Sequence, residues 1–247
     1  MESTEQIVLT VDKQGELVPF DKQNPYAEVV VPEGVRTIPQ GYFKDLWTLQ
    51  LVLPSTLETV ARESFVGSTV AELVFSSGEE GSKLFELPER IFHGWNALQK
   101  VVLPRGLKRV GSGAFDSCKY LAELVLPEGL EEIGSYAFAC TKVKNIFIPD
   151  GVKKVGVCAF LRSGLQSLSV PASIEKFERE VFSECGNLKE FIFRGTREQY
   201  NRIEKYKRER VVNHYDNSRV GYDWSESRGM VEAWIQGHRD MKTVFKP

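Results

Sequence analysis

The sequence predicts an α/β solenoid of about seven to eight copies of one unit of 22–23 residues, because an internal period outweighs local signals in deciding a fold. Six prolines each end a short apolar run and are each followed 11 residues later by a phenylalanine. The prolines are Pro32, Pro54, Pro104, Pro127, Pro149 and Pro171, and the phenylalanines, with Phe92 added, are Phe43, Phe65, Phe92, Phe115, Phe138, Phe160 and Phe182. Successive phenylalanines lie 22, 27, 23, 23, 22 and 22 residues apart. We expect these seven side chains to form the core of the stack.

Each part of the unit has a role that its residues indicate. The copy from Leu121 to Lys142 reads LAELVLPEGLEEIGSYAFACTK, and its alternating start is typical of a short parallel strand that buries one face. The proline then ends the strand, because it has no N–H to continue a ladder. The following GxxAF predicts a short helical turn that places Phe138 in the stack. Since no copy covers its own apolar side, each one depends on its neighbours.

The period lies in the range of leucine-rich repeats, and Pro, Ile/Val-Gly and Ala-Phe recur together in register. This combination resembles the BspA-like leucine-rich repeat family over about residues 27–195. The pair Gly195–Thr196 agrees with that resemblance, because members of the family often end in a GT motif followed by a cap. The resemblance implies a bacterial, adhesin-like or scaffold protein that binds other proteins, often at the cell surface or after secretion.

The domain boundaries follow from the repeat. We expect an N-terminal cap hairpin over residues 1–26 with Gly15 at its turn, a solenoid over 27–195 with an exposed insertion at 76–83, and a C-terminal capping helix and tail over 196–247. The insertion is either tolerated without a task or in contact with a partner.

The C-terminal segment carries further local signals. Thr196 and Gln199 form a capping box ahead of a predicted helix over residues 197–210. The tail predicts a strand around Val220 and a helix over 227–237, which either docks on the repeats or contacts a partner.

Composition excludes several classes of protein. A net charge of −2 and a pI near 6.0 are unlike a nucleic-acid binder, and no apolar run is long enough to span a membrane. The first residues do not resemble a secretory signal, which leaves the localisation unknown and cytoplasmic by default, although the resembled family is often found at the cell surface or secreted.

The sequence also predicts no enzyme and no cofactor. Cys118, Cys140 and Cys185 follow repeat phenylalanines by two or three residues, so we interpret them as core residues and not as disulfide or metal sites. None of the three histidines, His93, His214 and His238, stands at the spacing of a catalytic motif.

The predicted binding surface is the concave side of the strand sheet, where outward residues form a polar and an apolar column. The residues singled out for binding are Val30, Val52, Val74, Lys100, Val102, Glu123, Val125, Asn145, Phe147 and Ile192. An exposed apolar strip often marks an interaction site, so we expect a protein or peptide ligand and no nucleic acid. The alternatives are β-branched residues present for strand stability alone, a homodimer formed through the apolar column, or a carbohydrate-binding module, for which Phe147 is the one aromatic residue on the concave side.

Overall fold

The computed structural model describes residues 6–22, 26–76, 78, 81–205 and 242–245. Long strands recur once per copy: β1 Gln6–Val8, β2 Tyr26–Val30, β4 Trp47–Leu53, β6 Thr69–Phe75, β8 Lys100–Val102, β10 Glu123–Val125, β12 Asn145–Phe147, β14 Ser167–Pro171 and β16 Glu190–Arg194. Two-residue strands lie between them: β3 Thr37–Ile38, β5 Thr59–Val60, β7 Glu86–Leu87, β9 Arg109–Val110, β11 Glu132–Ile133, β13 Lys154–Val155, β15 Lys176–Phe177 and β17 Glu204–Lys205. Helix α1 spans Arg197–Arg202, and β18 spans Lys242–Phe245.

The chain winds as a parallel solenoid of stacked copies. The long strands form one face in the orders β1-β2-β4-β6-β8-β10 and β12-β14-β16-β18, which we call the long-strand sheet. The two-residue strands form a second face in the orders β3-β5 and β7-β9-β11-β13-β15-β17, which we call the short-strand sheet. Every ladder in both sheets is parallel, as a repeat that advances one strand per copy requires.

The seven repeat phenylalanines form one column inside the solenoid. Each of them is at most 4% exposed. Their ring centroids lie 5.2–6.1 Å apart, and five of the six successive pairs are stacked with interplanar angles of 2–23°. The pair Phe65–Phe92 is tilted by 43°. Stacking of this kind adds to the free energy gained by burying the rings.

The predicted helical turns are wrong in detail. The segment around each phenylalanine consists of tight turns, because residues two before and two after it have positive φ. The left-handed residues are Gly41, Asp45, Glu63, Gly67, Arg90, Gly94, Gly113, Ser117, Tyr136, Cys140, Cys158, Arg162, Glu180 and Glu184. A left-handed residue on each side of the phenylalanine interrupts a right-handed helix before one full turn is complete.

These turns let the backbone of one copy bond to the next. The N–H groups of Arg90, Phe92 and Gly94 donate to the carbonyls of Ser112, Ala114 and Asp116, respectively. Residues next to them donate inside their own turn, as His93 does to Arg90 and Trp95 to Phe92. Alternate N–H groups therefore serve the copy itself and its neighbour, and the same pattern recurs around Phe115, Phe138 and Phe160.

The N-terminal segment begins as a strand of the solenoid. Strand β1 pairs in parallel with β2, so it acts as one more strand of the long-strand sheet. The antiparallel part is a turn in which Val11 pairs with Leu17 and Gly15 has φ +83°. Leu9 is 4% exposed and joins the core at this end.

The C-terminal end is covered by α1. Thr196 and Gln199 form the predicted capping box, and Tyr200 is buried against Phe191 and Phe193 with centroid distances of 6.2 and 5.4 Å. The helix ends at Arg202 and is shorter than predicted, because the chain enters β17, which pairs with β15. Strand β18, which the sequence analysis missed, pairs in parallel with β16.

The predicted strand near Val220 and helix over 227–237 lie outside the described residues. No helix in the described part could span a membrane.

Three of the four cysteines are core residues. Cys118, Cys158 and Cys185 are at most 3% exposed, Cys140 is half-buried, and all four are free thiols. The Sγ atoms of Cys118 and Cys185 donate to the carbonyls of Phe92 and Phe160 at 3.1 and 3.0 Å. Burial raises the pKa of the Cys118 thiol to about 12 and also raises the pKa of Cys185.

Replacing Phe138 by alanine should lower the free energy of unfolding by about 3–5 kcal/mol, because a ring shared by neighbouring copies leaves a cavity. Val125→Ala should cost less than about 0.5 kcal/mol, because that side chain is 79% exposed. Urea melts of both variants measure the difference, and equal losses would show that the inside and outside faces are assigned wrongly.

Replacing Cys118, Cys140 and Cys185 together by alanine should lower the melting temperature modestly and leave the protein folded. Reductant or chelator should leave the melting temperature of the parent protein unchanged, because the thiols are free and act by packing. A large drop with either reagent would reveal a disulfide or a metal.

The raised thiol pKa of Cys118 predicts a stability that falls at alkaline pH. The thiol releases its proton at about pH 8.5 in the unfolded chain, whereas the folded chain keeps the proton up to about pH 12. Between these values the unfolded state binds fewer protons, so the free energy of unfolding decreases as pH rises. Melts between about pH 9 and 11 should show a shallower decline for Cys118→Ala than for the parent, and identical slopes would contradict this.

Candidate functional site

The outward side of the long-strand sheet carries the two predicted columns, and we call this surface the strand face. In register, Val30 pairs with Val52, Val52 with Val74, Val74 with Val102, and Val102 with Val125. Phe147, Ser169 and Ile192 continue the apolar column on β12, β14 and β16. Strand pairing therefore aligns residues that lie 22 to 28 positions apart in the sequence.

Exposure along the apolar column is greatest in its middle. Val102, Val125 and Phe147 are 40%, 79% and 52% exposed, whereas Val30, Val52, Val74 and Ile192 are half-buried. Val8 of β1, which pairs with Val30, is 55% exposed at the N-terminal end of the column. The longest continuous stretch of accessible apolar surface in the column lies on three successive strands, β8, β10 and β12.

The polar column also differs between its ends and its middle. Its first residues satisfy one another: Gln6 donates to Glu28 at 2.7 Å, Gln50 donates to Glu72 at 3.1 Å, and Lys100 lies 3.9 Å from Glu72. At the other end Ser167 donates to Glu190 at 3.0 Å. Within the described part of the chain, the exposed side chains of Glu123 and Asn145 form no such contact. The polar side chains that have no partner among the described residues therefore lie next to the exposed apolar side chains.

The long-strand sheet is divided at the same place. Strands β10 and β12 follow one another in the repeat but belong to separate hydrogen-bonded ladders. Among the described residues, this is the one step between successive long strands of the solenoid that lacks a ladder. Exposed apolar side chains, polar side chains without a partner among the described residues and the break in pairing coincide on β10 and β12.

Arg194 modifies the strand face near Phe147. Its guanidinium lies over the Phe147 ring, 3.8 Å from the centroid, and pairs with Asp150 at 2.8 Å. It also donates to the carbonyl of Ile148. The small residue Ser169 stands between Phe147 and Ile192 in the column, on the strand that Arg194 crosses. One face of the Phe147 ring is therefore occupied, which weakens Phe147 as a stacking platform for a sugar.

A groove that the sequence analysis missed lies on the turn side, where the second and third copies meet. Its volume is 850 Å³, and it lies between the turns that contain Phe65 and Phe92, with Trp95 in its wall. A smaller groove of 260 Å³ shares Thr69, Asn96 and Ala97 with it. That second groove includes Trp47, Leu49 and Tyr120, each more than half exposed. The 27-residue spacing between Phe65 and Phe92 and the proline at position 88 were the available signals.

Charged residues on the short-strand sheet neutralise one another. Arg109 lies 3.6 Å from both Glu86 and Glu132, and Lys154 lies 3.2 Å from Glu132. These exposed pairs contribute about 0–1 kcal/mol each to stability. This face presents no surplus of one charge along the Glu86–Lys154 row.

Among the described residues, no group of three or more His, Cys, Asp or Glu side chains is placed to hold a metal ion. His93 lies at the rim of the larger groove, 3.3 Å from Asp116. His214 and His238 lie outside the described residues.

Comparisons with known proteins agree with the repeat geometry. The family model of the BspA type leucine rich repeat region matches six copies over residues 19–86 and 85–206. Among solved structures, the chain is similar to a leucine-rich repeat protein of T. pallidum, with 28% identity and a TM-score of 0.46, over 49% of this chain and 58% of that one. It is also similar to a leucine-rich repeat protein of Bacteroides ovatus, with 21% identity and a TM-score of 0.48, over 76% and 63%.

The pneumococcal vaccine antigen PcpA is similar in fold, with 18% identity and a TM-score of 0.56, over 72% of this chain and 57% of that one. The chain spans less than two thirds of the length of each of these three structures. The comparison with curated proteins gave no match. Because the family model covers well over half of the sequence and the described strands repeat with its period, the chain belongs to the BspA-type leucine-rich repeat family.

Proposed function

We propose that this protein is a non-enzymatic recognition module that binds a partner protein through the middle of its strand face. The observation that carries the proposal is the coincidence on β8, β10 and β12 of exposed Val102, Val125 and Phe147 with Glu123 and Asn145. The side chains of Glu123 and Asn145 are exposed and form no hydrogen bond or ion pair with the described residues. Apolar side chains next to available polar groups form the pattern of a protein interface, in which an apolar centre is bordered by hydrogen-bonding groups.

The ends of the strand face contribute less to this proposed surface. Apart from Val8, which is 55% exposed, their apolar side chains are half-buried. Their polar groups are already paired, so a partner would gain less by contacting them. The backbone of β10 and β12 supports the proposal further, because the two strands do not pair with each other. Their facing N–H and C=O groups are available to ordered water or to a partner.

The membership of the family supports recognition over catalysis. Repeat solenoids present extended surfaces that bind other macromolecules, and the chain belongs to a family of such repeats. An adhesin-like role and an intracellular scaffold role would use the same surface. Self-association through Val102 and Val125 is the competing use of that surface.

The proposal is tested with the double variant Val102→Lys, Val125→Lys. Binding of the parent to a panel of purified extracellular proteins and to lysate proteins is measured first, and each captured protein is identified and bound again in purified form. The double variant should bind that purified partner at least about 100-fold more weakly, because two charges enter a desolvated apolar contact. Its circular-dichroism melt should stay close to that of the parent, since both positions are exposed.

The matched control places lysines at two other exposed apolar positions, Val11→Lys with Phe85→Lys, which are 41% and 61% exposed in the parent. The control adds the same charge and should bind normally. Equal loss in both variants would indicate a general charge effect, and unchanged binding in the strand-face variant would remove the site from this surface. A parent dimer in light scattering that becomes a monomer in the strand-face variant would favour self-association.

A further inference from the structure

The junction between the second and third copies is open on the turn side. At the four junctions that follow it, three alternate N–H groups around each phenylalanine donate to the next copy. The equivalent donors here are Glu63, Phe65 and Gly67, and the equivalent acceptors are the carbonyls of Glu89, Ile91 and His93. Within the described residues, none of these six groups forms a backbone hydrogen bond across the junction.

Pro88 removes one of the donors that would carry the short-strand sheet across this junction. Ala61, Gly111, Gly134, Gly156 and Glu178 hold the equivalent position, and each donates its N–H to the preceding copy. Proline has no N–H to donate. Ala61 and Glu178 have side chains and still donate their N–H groups. Pro88 therefore differs from the other copies by its missing N–H, not by having a side chain. Strand β7 accordingly pairs with β9 and not with β5.

Other features agree with a junction that is closed at the long strands and open at the turns. The long strands β6 and β8 remain paired, and Phe65 and Phe92 remain 5.2 Å apart, but the two rings are tilted by 43°. The 850 Å³ groove lies at this junction, and its volume is within the range of about 300–1,000 Å³ typical of ligand sites. All six residues with unused backbone groups line it.

We propose that this groove, which we call the junction groove, binds an extended peptide segment of a partner protein. The peptide main chain would accept from the N–H groups of Glu63, Phe65 and Gly67 and donate to the carbonyls across the groove. At the other junctions these groups bond to the main chain of the next copy, so a polypeptide main chain is their demonstrated complement. Strand addition of this kind draws affinity from main-chain hydrogen bonds and specificity from alternate side chains.

The lining of the junction groove favours a peptide over an anion. Donors lie on one wall and acceptors on the other, whereas an anion would use the donors alone. Arg62 and Arg90 are offset by Glu63 and Glu89, which gives a rim without net charge from these four residues. The apolar part of the lining comes from Val66, which is 50% exposed, and from the buried Phe65, Ile91 and Trp95. An uncharged peptide segment with alternating apolar residues fits this combination.

The test uses acetylated and amidated octapeptides whose six central residues are uncharged and alternate threonine with valine, leucine or phenylalanine. A lysine at each end keeps the peptide in solution. Calorimetry with the full chain should show binding of at least one of them. Two versions of that peptide, N-methylated at the odd or at the even residues, remove one row of N–H donors each. The version that loses the row facing the carbonyls of the groove should bind at least about tenfold more weakly than the parent peptide. Absence of binding by every peptide at millimolar concentration, or equal binding of both N-methylated forms, would overturn the proposal.

Amide hydrogen exchange gives a readout that needs no substitution. In the free protein the amides of Glu63, Phe65 and Gly67 should exchange faster than those of Gly113, Phe115 and Ser117, which bond to the next copy. Saturating peptide should slow the first set by at least about tenfold and leave the second unchanged. Protection of the first set without peptide would show that the junction is closed in solution.

Two variants locate the bound peptide. Ala97→Trp fills the point where the two grooves meet, and Thr69→Trp does so from an exposed position in case the first variant unfolds. A folded variant of either kind should lose at least about tenfold in peptide affinity, and unchanged affinity would overturn the proposal. The strand-face variant Val102→Lys, Val125→Lys should keep peptide binding, so failure of the proposed function leaves this proposal separately testable.

Discussion

Hydrogen bonding between the backbones of successive copies is the interaction on which the rest of the structure depends. It aligns the long strands and the two-residue strands, and it ties together the turns around the phenylalanines. The turns meet this requirement by placing residues such as Tyr136 and Cys140 in the left-handed region, which costs about 1–2 kcal/mol for each residue that is not glycine. Burial of the phenylalanine between them and the bonds to the next copy offset that cost.

Both surfaces that we propose for recognition lie where the pairing between copies is incomplete. The break between β10 and β12 coincides with the most exposed part of the strand face, and the break between β5 and β7 coincides with the junction groove. Both breaks leave backbone groups without a partner in the neighbouring copy, and water or another chain can bond to them. A regular repeat satisfies its own backbone groups, which is why we propose recognition at the irregular copies.

Long side chains link copies that do not touch through their backbones. Arg194 on β16 reaches Phe147 and Asp150, which belong to a copy two strands away. It thereby reduces the aromatic surface available on the strand face and supports the column near its C-terminal end. The ends of the solenoid use other means: β1 adds a parallel strand at the N-terminal end, and α1 places Tyr200 over Phe191 and Phe193 at the other.

The sequence alone determined the family, the phenylalanine core, the two outward columns and the capping box at Thr196, because each of these depends on spacing along the chain. Tertiary structure decided what depends on contact between copies. The turns around Phe138 are not helical because their N–H groups bond to the following copy, and Phe147 is partly covered because Arg194 reaches it from residues far along the chain. The opening beside Pro88 became visible only when the neighbouring backbone was in place, since a missing donor matters only where an acceptor faces it.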